Sequence, residues 1–206
     1  MIRTMIRQKQ IENPTALEKI RLKDDPFMVL ISTILSSRTK DKITLQASRR
    51  LFSRFKDANA LADANEDHIR ELIRPVGFYI TKASRIKEVA RIIVTEYEGD
   101  VPANIDNLLD LPSVGRKTAN CVLVYAFGIP AIPVDTHVHR ISNRLGIVET
   151  DAPEETEHEL SNRINKRYWL EINELFVKFG QEICKPINPL CDTCLLLKMC
   201  PYGMGR

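Results

Sequence analysis

The chain has 206 residues, 44% of them hydrophobic and 28% charged, with a formal net charge of +3. That length supports one compact domain or two small ones, and the balance is ordinary for a globular protein. No apolar run approaches the roughly 20 residues needed to span a bilayer, and the first ten residues contain no apolar core of a signal peptide, so a soluble intracellular protein is expected.

Periodicity is helical along nearly the whole chain, no alternating strand pattern persists, and the expected fold class is all-α. Pro26 to Leu35 is an apolar run too long and too continuous for an edge strand. In Thr39 to Phe55, the residues Ile43, Ala47, Leu51 and Phe55 make one stripe at a spacing of four. Thr81 to Tyr97 repeats the pattern with Ile86, Val89, Ala90 and Ile93. Basic residues gather at Arg38, Lys40, Lys42, Arg49, Arg50, Arg54 and Lys56, opposed only by Asp41, and again at Arg116 with Lys117 and at Arg140 with Arg144. Any one group reads as a solvated helix face, whereas three beside the motifs below read as a phosphate-binding face.

Ile105 to Leu111 is short and stops at Pro112. In the tight turn Leu111-Pro-Ser-Val-Gly115, the proline ends one helix and Gly115 is expected to supply a backbone conformation that other residues resist. Gly115 to Phe127 is mostly apolar after its first turn, and Gly128 ends it. A helix start offers backbone N–H groups to an anion, and a phosphodiester would suit it. Taken alone, the turn reads as a structural corner between helices, because many helical proteins contain Pro-x-x-Gly turns. Lys117 sits in the first turn, where the positive end of the helix dipole, with Arg116 beside it, favours the neutral and therefore nucleophilic amine.

Asp135 follows the turn Ile129-Pro-Ala-Ile-Pro133. A carboxylate there can accept the lysine proton or stabilise positive charge on a sugar ring, and it is equally placed to cap the next helix. His137 and His139 are two apart, point to different helix sides, and are read as metal ligands in neither case. Asp151-Ala-Pro-Glu-Glu155 reads as a helix start with Asp151 as its acidic cap and a proline just inside. Four of the five cysteines lie in the last 23 residues, as Cys184-x6-Cys191-x2-Cys194-x5-Cys200 followed by Pro201. Zinc ribbons use two close pairs, whereas this spacing has one and better suits an iron–sulfur cubane, with structural zinc as the alternative. Cys121, in an apolar helix, is expected to be a buried small hydrophobe.

From about Asp25 to Tyr202 these pieces resemble the endonuclease III family of helix-hairpin-helix DNA glycosylases. Leu111-Pro-Ser-Val-Gly-Arg-Lys-Thr-Ala-Asn120 is similar to the family hairpin, Val134-Asp-Thr-His137 to its aspartate segment, and the cysteine spacing to its cluster signature. The resemblance implies two helical domains with a DNA-binding cleft between them. One is a six-helix barrel of residues 21–130, with the hairpin at about 105–127. The other is built from 1–20 and 131–206 and holds a [4Fe-4S] cluster on Cys184, Cys191, Cys194 and Cys200.

It also implies a bifunctional glycosylase and abasic-site lyase. Lys117 attacks the anomeric carbon of a flipped-out nucleotide, expels the base as a Schiff base forms, and nicks the strand by β-elimination, with Asp135 assisting. The implied substrates are oxidised pyrimidines and abasic sites in double-stranded DNA, met by a cytoplasmic, nucleoid-associated monomer. DNA contacts are implied at Arg38, Phe78, Ser113, Val114, Gly115, Arg116, Thr118 and Lys185, and a base pocket at Asp41 and His137. Arg38 would fill the gap left by the flipped base and Phe78 would wedge the opposite strand.

The chain departs from the family pattern in three places. Arg38 stands where the bacterial enzyme has glutamine, which points to guanine as the favoured opposite base through paired donors. Ser113 replaces the first hairpin glycine. Lys185 is the only basic residue between Cys184 and Cys191. Two other functions compete: a monofunctional mismatch glycosylase for thymine, uracil or adenine, and a non-enzymatic iron–sulfur module for DNA binding or electron transfer. Lys117 argues against the first, and the Lys117/Asp135 pair against the second.

Overall fold

The structure, a computed structural model, describes Ile2, Thr4 and residues 25–205. The expectation for residues 1–20 therefore falls almost wholly outside the described residues. Those residues form helices joined by turns, with no strand among them. They divide into two compact units, the first ending at Gly128 and the second starting at Ile129.

The first unit is organised by α1 (Pro26–Ser36). Asp25 starts it, accepting the Phe27 N–H at 2.9 Å through Oδ1, and Pro26 supplies a preset φ at the first position. Phe27, Val29, Leu30, Ile31, Ile34 and Leu35 are all buried, so α1 is apolar round most of its circumference, as a central helix must be. Around it pack α2 (Asp41–Arg54), α5 (Tyr79–Glu96) and α7 (Arg116–Phe127). The short α3 (Ala58–Ala62) and α4 (Glu66–Ile73) lie against α5, and α6 (Ile105–Leu109) leads into α7. Arg50 Nε donates to Leu72 O at 2.8 Å and ties α2 to the end of α4.

In the second unit, α8 (Thr136–Arg144) faces α10 (Trp169–Glu182), with α9 (Pro153–Arg163) beside α8. Val138 and Ile141 meet Ile172, Phe176, Phe179 and Ile183 in one core that also holds Leu160 and Leu196. Three- and four-residue steps place these side chains on one face of each helix. Gly180 sets how closely α8 and α10 approach, since a Cβ there would lie 2.3 Å from His137 Nδ1. The chain then runs through two 3-10 turns, Cys191–Thr193 and Leu197–Met199, to α11 (Pro201–Met204).

One helix start differs from expectation. Ala152, not Asp151, is the N-cap of α9, and Glu155 reaches back to accept the N–H groups of Asp151 and Ala152 at 3.2 and 3.4 Å. With Pro153 already at the first helical position, the third-position glutamate does the capping.

Candidate nucleic-acid interface and catalytic residues

The hairpin between α6 and α7 is a β-turn closed by Val114 N–H donating to Leu111 O at 3.1 Å. Pro112 stands at its second position and Ser113 at its third, where φ is +64°. A left-handed third position after proline marks a type II turn and normally demands glycine. The expectation for Gly115 is thereby corrected. Its φ is −94°, which any residue adopts, and the left-handed conformation falls on Ser113 because the turn begins at Leu111. Buried Leu111 and Val114 hold the turn to the core, whereas Ser113 and Gly115 are exposed.

Gly115 is the N-cap of α7, has no side chain to cap the helix, and has open space where a Cβ would stand. Arg116 is exposed, and Lys117 and Thr118 are half-buried. The first turn of α7 contains no acidic residue and two cations, the opposite of what the helix dipole favours, at a cost of about 0.3–1 kcal/mol each. Local violations of this kind accumulate where function demands them. Behind the first turn, Asn120 and Cys121 are buried, Cys121 completely, as expected for a small hydrophobe.

Arg38 and Phe78 are among the other left-handed residues of the same unit. Arg38, just past α1, has φ of +51°, and Phe78, the N-cap of α5, has φ of +58°. For a bulky side chain this conformation costs on the order of 1–2 kcal/mol. The side chains belong together: the Arg38 guanidinium lies 5.6 Å from the centre of the Phe78 ring. Phe78 is also 62% exposed, with Ile80 beside it at 55%. Gly77 permits this pairing, because a Cβ there would stand 2.7 Å from Arg38 O, and its N–H donates to Thr39 Oγ1 at 3.2 Å.

Reading the sequence missed Lys82, whose ammonium donates to Leu35 O at 2.9 Å, Ser37 O at 2.5 Å and Thr39 Oγ1 at 3.3 Å. Burial pushes its pKa from 10.5 down to about 8. A signal existed. Lys82 lies on the apolar stripe that continues through Ile86, Val89 and Ile93, where a lysine must find acceptors.

In the second unit, Asp135 caps α8, its Oδ1 accepting from the N–H groups of His137 and Val138, each at 2.9 Å. Both bonds converge on Oδ1 and neither uses Oδ2, so the cap and a chemical role do not compete for the same oxygen. His137 Nδ1 lies 3.1 Å from Arg140 Nη2, and His139 Nδ1 lies 2.7 Å from Thr156 Oγ1, so the two rings do face different surroundings. Asp41 is exposed at the first position of α2, and Lys185 is exposed after Cys184.

Arg140 and Arg144, expected to face phosphates, turn inward to the cysteine loop. Arg140 Nη2 donates to Cys184 O at 2.9 Å, while Arg144 donates to Lys185 O at 2.7 Å, Pro186 O at 2.9 Å and Cys184 Sγ at 3.5 Å. The loop is short of regular structure, and three of its carbonyls, those of Cys184, Lys185 and Pro186, accept from these guanidinium groups.

Cys184, Cys191, Cys194 and Cys200 line one cavity with Leu145, Phe179, Ile183, Pro189, Leu190 and Tyr202. None of the four is in a disulfide. Among the described residues no group of three or more His, Cys, Asp or Glu side chains converges where one metal ion could be held. The four cysteines line one cavity, and four thiols are the donor set that an iron–sulfur cluster takes. The donors fit too, since the Gly203 N–H donates to Cys200 Sγ at 3.4 Å beside the Arg144 contact to Cys184. Burial, and charge on the neighbouring thiols, push the Cys194 thiol pKa upward.

Residues 31–166 match the model of the HhH-GPD superfamily base excision DNA repair proteins. The chain belongs to that superfamily. It is 51% identical over 182 residues to an endonuclease III of Thermotoga maritima, covering 88% of this chain and 85% of the relative. Among solved superfamily structures, a trapped endonuclease III–DNA covalent intermediate matches with a TM-score of 0.84 at 37% identity, over 88% of this chain and 86% of that one. A thermostable thymine-DNA glycosylase matches with a TM-score of 0.82 at 27% identity, over 91% and 88%. No helix among the described residues of this superfamily member is long and apolar enough to cross a membrane.

Proposed function

We propose that this chain is a bifunctional DNA N-glycosylase and abasic-site lyase of base excision repair, acting on oxidised pyrimidines and abasic sites in duplex DNA. The observation that carries the reading is Lys117, half-buried in the first turn of α7 directly after the hairpin. The 51% identity to an endonuclease III supports it, as does likeness to an endonuclease III caught covalently on DNA.

The backbone of Ser113, Val114 and Gly115, with Arg116 and Thr118, binds phosphate at the start of α7. Arg38 and Phe78 enter the duplex where the damaged nucleotide has left the stack. The Lys117 amine attacks C1′, the bond from C1′ to the base breaks, and the base leaves with a proton. Ring opening yields an imine between Lys117 and the sugar. Loss of a C2′ proton then expels the 3′ phosphate, breaking the strand. The Asp135 carboxylate accepts the lysine proton and stabilises the positive sugar, while Asp41 and His137 contact the extruded base and Lys185 a phosphate.

Cys184, Cys191, Cys194 and Cys200 hold a [4Fe-4S] cluster, which when bound cross-links a loop with few apolar contacts of its own. Structural zinc, the alternative, requires four thiolates converging on one ion. The 27% identity to a thymine-DNA glycosylase keeps a monofunctional reading open to test, in which water replaces the amine.

Borohydride trapping on abasic duplex DNA decides between the two. Wild type is expected to form a covalent adduct and Lys117→Gln none. An untrapped wild type that still releases thymine from mismatches would establish the monofunctional reading. Trapping at full rate by Lys117→Gln would show that Lys117 is not the nucleophile.

A further inference from the structure

Arg38 and Phe78 are 40 residues apart in sequence and both sit on strained backbone, so something must hold their turns in register. Three features of the first unit converge there. Gly77 allows its backbone to press on Arg38 O, with only 2.7 Å left where a Cβ would be. The Thr39 hydroxyl accepts the Gly77 N–H at 3.2 Å and donates to Ser37 O at 3.2 Å. Lys82 closes the arrangement from α5, with its side chain 8% exposed and its ammonium on Leu35 O, Ser37 O and Thr39 Oγ1.

An ammonium has three donors, and this one meets three acceptors. Two are carbonyls left without helical partners at the end of α1, which are costly to bury unsatisfied. The bonds span 43 to 47 positions and join the loop carrying Arg38 to the helix whose N-cap is Phe78.

We propose that Lys82 is a positioning residue for lesion recognition: its ammonium pins the Leu35–Thr39 loop to α5 and so fixes the spacing of Arg38 and Phe78 as they enter the duplex. The inference rests on the insertion roles proposed above for those two side chains. Lys82 touches neither DNA nor the reacting atoms, and acts through the two turns. A buried lysine here serves better than a leucine of similar volume, because a leucine would satisfy none of the three acceptors.

The test uses the full-length protein with a duplex bearing 2-aminopurine opposite a reduced abasic site, where fluorescence reports unstacking of the opposite base. Lys82→Met, which keeps the chain length, is expected to lower both the fluorescence rise and the rate of nicking of abasic duplex by roughly ten- to hundred-fold, as displaced positioning groups do. Trapping on a single-stranded abasic oligonucleotide, which has no opposite base, should stay within about two-fold of wild type, since Lys117 is untouched. In an Arg38→Ala/Phe78→Ala background, Lys82→Met should add nothing further.

Thr39→Val removes one acceptor and should act in the same direction with a smaller effect. It carries the test if Lys82→Met does not fold. Full fluorescence with the variant that folds, while Phe78→Ala loses it, would overturn the role of Lys82 alone. Full fluorescence with Arg38→Ala and Phe78→Ala would remove the insertion reading, and the positioning role with it.

Discussion

The two units hold their functional loops by opposite means. In the first, Arg38, Phe78 and Ser113 stand on left-handed backbone, and the strain is borne by a core in which α1 is buried almost all round. In the second, the one left-handed residue of the cysteine loop is Asn188, a type that tolerates that conformation, and few apolar side chains of the loop are buried. Ile187, Leu190, Leu195 and Met199 are largely exposed, and carbonyls of the loop lean on two arginines. Stored strain requires a rigid support, whereas a loop without a core requires cross-links.

Cutting a cross-link should produce the largest effect. Cys191→Ser is expected to abolish cluster absorbance and to cost several kcal/mol, on the order of what structural metal sites contribute, read as faster hydrogen exchange through residues 184–200. Unchanged exchange would mean the loop holds itself and would end the contrast. Next, Gly77→Ala forces a Cβ against the Arg38 carbonyl and should lower stability by about 1–3 kcal/mol in denaturant unfolding, with loss of lesion discrimination.

Lys82 gives a pH test with a definite sign. Its pKa is about 8 in the fold against 10.5 unfolded, so between those values the unfolded chain binds more protons. Stability should therefore rise from pH 8 to 10.5 relative to Lys82→Met, on the order of 1–3 kcal/mol. A flat difference would show the lysine neutral throughout or still charged at the upper limit.

Asp135→Ala should cost about 1 kcal/mol through loss of the cap, whereas Asp135→Asn keeps the acceptor and the stability but loses activity. Equal activity in Asp135→Asn would confine Asp135 to capping. The smallest effect belongs to Ser113→Gly. Relief of the left-handed φ is partly offset by the entropy of glycine, leaving a gain below about 1 kcal/mol in thermal unfolding.

What could be read directly from residues was local. The helical periods, the helix that stops at Pro112 and the four-cysteine spacing all involve neighbours within a few positions. Lys117 and Asp135 stand out as candidates because each lies at a helix start, where a polar residue has a limited set of uses. Gly115 was misassigned because the turn register, which decides the left-handed position, depends on where Leu111 is anchored in the core.

Sequence alone thus determined the helices and the superfamily resemblance, and marked candidate side chains for the chemistry, because backbone sterics and helix ends act over one or two turns. Only the tertiary structure decided that Arg140 and Arg144 serve the cysteine loop, that Arg38 stacks near Phe78, and that Lys82 bonds the end of α1. Each joins residues about 40 positions apart, and which partner stands at that distance is fixed only when the chain folds.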